Sequence, residues 1–219
     1  MSLFVLVMLP VVLSLGFWQL DRAEEKRRFE SAYLDRIGAL ASEPGEMVQD
    51  FQRIRLVGAF EPGRDYLLDN QIRDGQIGFG VISLFRTGDG RGWLINRGFV
   101  PGDRARRSLP EITSPAGRVT LTGLVWPELG LVPVFGADNW AEGWPKVIQR
   151  IEVARMVAPF ENMMTVEVRL EAGQPGVFAP AVTELNMPAE KHTGYAVQWF
   201  GLALALCIGF VVFGFRRQK

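Results

Sequence analysis

Residues 1–20 and 195–215 contain no Asp, Glu, Lys, Arg or His, and that single feature restricts the chain more than any other. A helix rises about 1.5 Å per residue, so about 20 apolar residues cross a hydrocarbon core of about 30 Å. Both ends reach that length, which predicts transmembrane helices over 1–20 and 195–215. A cleaved signal peptide is the alternative for the first run. It has no basic n-region, its apolar stretch is too long, and it closes on Gly16-Phe17-Trp18-Gln19-Leu20 without a small-residue cleavage site. Pro10 is compatible with a span, because neighbouring groups in a membrane re-satisfy the backbone. The first run is therefore read as a retained anchor.

Between the anchors, 21–40 reads as an amphipathic extension of the first helix. Ala23, Phe29, Tyr33, Leu34 and Ile37 recur at helical spacing among charges such as Glu24, Glu25 and Arg28. Gly38 and Pro44-Gly45 close it. Residues 41–190 are long enough for one domain with a core of its own. Arg53-Ile54-Arg55-Leu56-Val57 alternates as a half-buried strand does, and strands are expected at 65–70, 78–85, 92–100, 118–125 and 164–170. Thr87-Gly88-Asp89-Gly90-Arg91-Gly92 predicts a hairpin. A phosphate loop there is disfavoured, since a strand and not a helix follows it. A short helix is expected over 148–156, a loop over 129–145 and a Pro-rich approach to the second span over 174–189. The fold class is a membrane protein with two terminal helices flanking one β-rich, mostly antiparallel α+β domain, its sheet closed or nearly so.

The 24 basic and 24 acidic residues balance, so no basic field points to nucleic acid. One cysteine, Cys207, and one histidine, His192, exclude an internal disulfide, a Cys-x-x-Cys pair and a His/Cys zinc site. No Ser/His/Asp set assembles around a nucleophile, and the reading is non-enzymatic. Charge bias leaves the topology open. Arg216, Arg217 and Lys219 place the 216–219 tail in the cytoplasm, whereas Arg22, Lys26, Arg27 and Arg28 draw the domain to the same side.

His192 opens Lys191-His192-Thr193-Gly194-Tyr195-Ala196-Val197-Gln198-Trp199-Phe200. On a helix, 192, 195, 196 and 199 share a face. An imidazole there beside Tyr195 and Trp199 suits an axial haem ligand, although the residues alone favour an interfacial histidine in an aromatic belt. Trp18 and Arg22 lie one turn apart at the matching end of the first span. Arg22 could face a haem propionate or a lipid phosphate, or snorkel as an ordinary anchor. Trp140 and Trp144 could face a partner, the bilayer surface or the core. Arg97 reads as a satisfied structural arginine, with a binding role as the lesser alternative.

Gly16-Phe17-Trp18-Gln19-Leu20-Asp21-Arg22 with Lys26, then Asn96-Arg97-Gly98-Phe99-Val100-Pro101, then Asn186 with His192 and Tyr195-Ala196-Val197-Gln198-Trp199-Phe200, resemble in order the signatures of the surfeit locus protein 1 family. Residues 139–156, with Trp144-Pro145 and Ile151-Glu152-Val153-Ala154, are similar to a further, weaker segment of that family. The resemblance implies an assembly factor of the respiratory chain, acting on subunit I of haem–copper cytochrome c oxidase. It implies transient handling of haem a, with His192 as candidate iron ligand, and the reading of the residues themselves adds Tyr195, Trp199, Trp18 and Arg22 around the cofactor. The haem a synthase is an optional further partner, and membrane lipid surrounds the anchors. The alternative is a haem-free scaffold that stabilises the oxidase subunit. The family's layout implies a domain outside the cytoplasm, on the bacterial inner membrane, or the mitochondrial inner membrane in a eukaryote. No transit peptide precedes the first span, which favours a bacterial protein. One departure from the pattern is the lack of basic residues before that span.

Overall fold

The computed structural model describes residues 2–128, 140, 143–181 and 189–216. The expected loop through 129–139, Asn139, Asn186 and the tail residues Arg217 to Lys219 lie outside the described residues. In chain order the elements are α1 (Ser2–Ile37), β1 (Arg53–Arg73), β2 (Gln76–Thr87), β3 (Gly92–Pro101), β4 (Val119–Trp126), β5 (Lys146–Ile148), α2 (Val153–Val157), β6 (Met163–Leu170) and α3 (Ala189–Arg216). They divide into a helical unit, residues 1–34 with 184–219, and a sheet unit, residues 35–183.

The sheet unit is a five-stranded ring. Strands run in the order β2-β3-β6-β4-β1, and β1 pairs again with β2, so the sheet closes on itself. Closure leaves no unpaired edge in the ring. Pairing is antiparallel except for β3 with β6, while β5 lies parallel on the second half of β1 outside the ring. The two strands expected at 53–57 and 65–70 are a single strand, β1. Its register shifts between Phe60 and Asp65, where Pro62 and Gly63 (φ 67°) intervene. That irregularity lets one strand pair with β4 through 53–58 and then bend along β2 and β5. A second correction concerns 148–156. Ile148 ends strand β5, and only Val153–Val157 is helical.

Alternation sorts the core into two sides. Ile54, Leu56, Phe60, Phe85, Trp93, Ile95, Leu121, Val125, Val168 and Leu170 form one buried cluster drawn from all five ring strands. Tyr66, Ile82, Leu84 and Leu94 point the other way and pack against Ile148, Val153, Met156 and Val157. Each cluster removes several large apolar side chains from water, about 1.5–3 kcal/mol per side chain. Tyr66 donates its hydroxyl to Met156 O at 2.7 Å, and burial pushes that hydroxyl up to about 12. The rings of Trp140 and Trp144 meet Tyr66 edge-on at 5.6 and 5.0 Å. Both tryptophans thus have a packing role against this outer cluster.

Asn96-Arg97-Gly98 is a structural device. Val81 faces Gly98 and Ile82 faces Asn96, so Arg97 is the extra residue of a β-bulge. Its side chain is only 1 % exposed. It donates to Gly176 O (2.7 Å), Thr113 O (2.6 Å), Ser114 Oγ (3.0 Å) and Ser83 Oγ (3.1 Å), with Asp65 at 4.0 Å. The guanidinium lies between the rings of Phe60 (4.8 Å) and Phe178 (4.6 Å). Such a fork, filled on every side, ties the 113–114 and 176–178 segments to β3. Asn96 donates to Glu167 on β6 at 2.7 Å and accepts from Gly98 N at 2.9 Å.

The hairpin at 87–92 forms as expected, with Gly90 at φ 84°. The Thr87 hydroxyl, 2.6 Å from Asp89 Oδ1, holds the Asp89 carboxyl down to about 2, and the Arg91 backbone N–H and guanidinium add to it. Because the folded value lies below the ordinary one, the stabilisation is present above about pH 4 and disappears as pH falls through about 2. Thr87→Val is expected to raise the Asp89 titration midpoint toward the ordinary value. A carboxyl carbon NMR titration reads this, and an unchanged midpoint would refute the assignment to Thr87.

Candidate functional site on the paired terminal helices

Both terminal helices are long and apolar enough to cross a membrane, Leu3–Ile37 and Ala189–Gly214. They pack on each other along a seam of small and β-branched residues. Val5, Val12, Gly16 and Ala23 are buried on α1, and Ala189, Ala196 and Ala203, seven apart, are buried on α3. In lipid no hydrophobic gain drives helices together, so side-chain packing and hydrogen bonds between the helices supply the attraction. Phe200 illustrates it. A Cβ on Gly16 would stand 2.8 Å from the Phe200 ring, and the Phe17 ring meets Phe200 edge-on at 5.3 Å.

Toward the start of α3 the seam turns polar. His192 Nδ1 lies 2.7 Å from Gln19 Oε1, and Arg27 Nη2 donates to Thr193 Oγ1 at 3.0 Å. Thr193 also donates to Ala189 O at 3.2 Å within its own helix. An amide oxygen can only accept, so the imidazole Nδ1 carries the hydrogen, and in the neutral ring Nε2 has the lone pair. His192 and Trp199 are half-buried, Ala196 is sealed in the seam, and Tyr195 opens outward at 49 % exposure. The expected common face therefore divides: 192 and 199 flank the seam, while 195 points away from it. Trp18 is likewise 49 % exposed. Arg22 is exposed, pairs with Glu25 at 2.5 Å and lies 6.0 Å from the Trp18 ring.

The partner that sequence reading missed is Gln19. An uncharged polar side chain at the end of an otherwise apolar span was the available signal, because such groups seek a hydrogen bond across to another helix. Among the described residues no three His, Cys, Asp or Glu side chains gather as a bare metal ion needs. A macrocycle that brings its own four nitrogens needs only one donor from the protein, and a neutral His192 would supply it.

The SURF1 family model matches residues 6–204, nearly the whole chain. The chain belongs to the SURF1 family. Among its relatives, a SURF1-like protein of Rickettsia felis is 23% identical over 97% of this chain and 96% of the relative. A SURF1-like protein of Monosiga brevicollis is 25% identical over 98% of this chain and 87% of the relative. Surfeit locus protein 1 of Homo sapiens is 25% identical over 92% of this chain and 74% of the relative. The SURF1 match takes in most of the first span, the Asn96-Arg97-Gly98 bulge, the His192 segment and the second span as far as Leu204.

Proposed function

We propose that this SURF1-family protein is a membrane-anchored, non-enzymatic assembly factor for haem–copper cytochrome c oxidase. It handles haem a beside the catalytic subunit, with its β domain on the periplasmic side of a bacterial inner membrane. Family membership supports the assembly role. The observation that carries the haem reading is the His192–Gln19 contact on a half-buried ring, which engages Nδ1 and, in the neutral imidazole, leaves Nε2 as the donor. The cofactor would supply an iron centre open to one protein ligand. On the protein side, His192 would hold the iron through Nε2, Trp199 would offer an aromatic wall, and the exposed Trp18 and Tyr195 would present rings at the same end of the pair. Arg22 supplies a guanidinium for an anionic group, a propionate or a lipid phosphate, once it releases Glu25. A single protein ligand suits a carrier, because delivery requires release.

The test is the absorption spectrum and extractable haem of detergent-purified protein from cells that synthesise haem a, beside His192→Ala. The wild type is expected to carry haem a. The variant should lose more than the roughly 10–100-fold that removal of a mere outer partner costs. Equal haem in both overturns His192 as ligand. Absence of haem in both, with the oxidase subunit still co-purifying, overturns the carrier reading and leaves a haem-free scaffold.

A further inference from the structure

We infer that Gln19 is a positioning residue that fixes the tautomer and ring orientation of His192, so that Nε2 is the nitrogen presented to a ligand. The inference rests on the reading of His192 as an iron ligand, and it adds the residue that makes this imidazole a defined donor. Gln19 and His192 are 173 positions apart, on different helices, and their 2.7 Å contact is the polar crossing at the end of an otherwise apolar seam. A side-chain oxygen facing Nδ1 calls for N–H at Nδ1, and in the neutral imidazole that leaves the lone pair at Nε2. Metal-bound histidines commonly donate their second nitrogen to such an acceptor, which orients the ring and raises its basicity. The Gln19–His192 contact has that form.

The neighbouring contacts hold the crossing in place. Three residues below Gln19, Gly16 receives the Phe200 ring, and Arg27 bonds Thr193, the residue after His192. Rotation of α1 about its axis would therefore break the Phe200 packing and both polar contacts together. The pair is a feature of the helix seam and not of two freely rotating side chains.

His192 is the chain's one histidine, so a protein labelled at imidazole nitrogen and purified through a histidine-free tag gives a single imidazole signal. The long-range proton–nitrogen NMR spectrum of the full chain in detergent, recorded without haem under alkaline conditions that keep imidazole neutral, reads the tautomer directly. The wild type is expected to show the Nδ1–H form. Gln19→Leu should shift it to the Nε2–H form, and Gln19→Glu, which keeps an acceptor, should retain Nδ1–H. Hemin titration of the same samples should show an affinity loss of about 10–100-fold in Gln19→Leu and recovery in Gln19→Glu. An Nε2–H signal in the wild type overturns the inference, as does a Gln19→Leu protein that binds hemin as tightly as the wild type. Failure of the underlying reading has a different signature: His192→Ala then binds hemin undiminished, while the haem-free spectrum still decides whether Gln19 sets the tautomer.

Discussion

Arg97→Met is expected to lower the melting temperature of the sheet unit, followed by tryptophan fluorescence of the full chain in detergent, by roughly 6–20 °C. The substitution removes four hydrogen bonds to Ser83, Thr113, Ser114 and Gly176. It also leaves Asp65 buried without its cation. Breaking one half of a buried pair costs about 3–5 kcal/mol, mostly because of the charge that remains. Asp65 gives the prediction a sign in pH. Burial already holds its carboxyl above the ordinary value, against the lowering by Ser83 and Arg97. Loss of Arg97 raises it further, so the folded variant favours the protonated acid. That preference contributes fully at low pH and is lost as pH rises through the folded value, so the gap between variant and wild type widens from acid toward neutral pH. Asp65→Asn combined with Arg97→Met removes the stranded charge and should recover part of the loss. A single variant that melts with the wild type at neutral pH would sink the structural role of Arg97.

Gly98→Ala is expected to detach the 177–180 segment from β3. Gly98 sits at φ +96°, and a Cβ there would stand 2.0 Å from Ala179 O and 2.7 Å from the Ala179 carbonyl carbon. Both are backbone atoms with no flexible end to swing aside. Left-handed backbone costs a non-glycine residue about 1–2 kcal/mol, and forced overpacking adds about 1–3 kcal/mol. The bonds at risk are Phe99 N to Ala179 O (2.7 Å), Ala179 N to Phe99 O (3.3 Å) and Phe178 N to Arg97 O (2.8 Å). Hydrogen exchange resolved to peptides should show faster exchange at Phe99, Phe178 and Ala179 in the variant. Gly63→Ala is the control: its φ is also positive, at +67°, but nothing lies within 4 Å of the added carbon. Equal protection at Phe99 and Ala179 in wild type and Gly98→Ala would contradict the steric account. Both variants act on the sheet unit, so haem binding that survives in the folded fraction would separate this signature from the His192 segment.

How much was legible varies by element and has physical causes. Arg53-Ile54-Arg55-Leu56-Val57 and the β6 run over 164–170 were readable because strand side chains alternate faces with period two, and one face must be apolar. The hairpin at 87–92 was readable because Gly90 needs a positive φ. By contrast, 148–156 was misread as one helix. A stretch that short carries too little periodicity to separate helix from strand, and β5 takes its form from the partner it gains on β1. The fusion of two expected strands into β1 depended on a bulge at 61–64 that local propensity reads as a break. Tyr195 was grouped with His192 by helical spacing alone, but spacing does not say where the neighbouring helix sits.

What the chain's letters determined without help is its class: a charge in hydrocarbon is expensive enough that two uncharged 20-residue runs leave few alternatives to spans. They also determined the alternating strands between those spans, and three ordered signatures carried the family. Tertiary structure alone decided that the sheet closes, that Arg97 is enclosed by groups from four separate segments, and that Gln19 faces His192. Each of these joins residues far apart in sequence. Periodicity reports which face of an element is apolar, whereas a hydrogen bond between two elements depends on their registry in space, which no local pattern encodes.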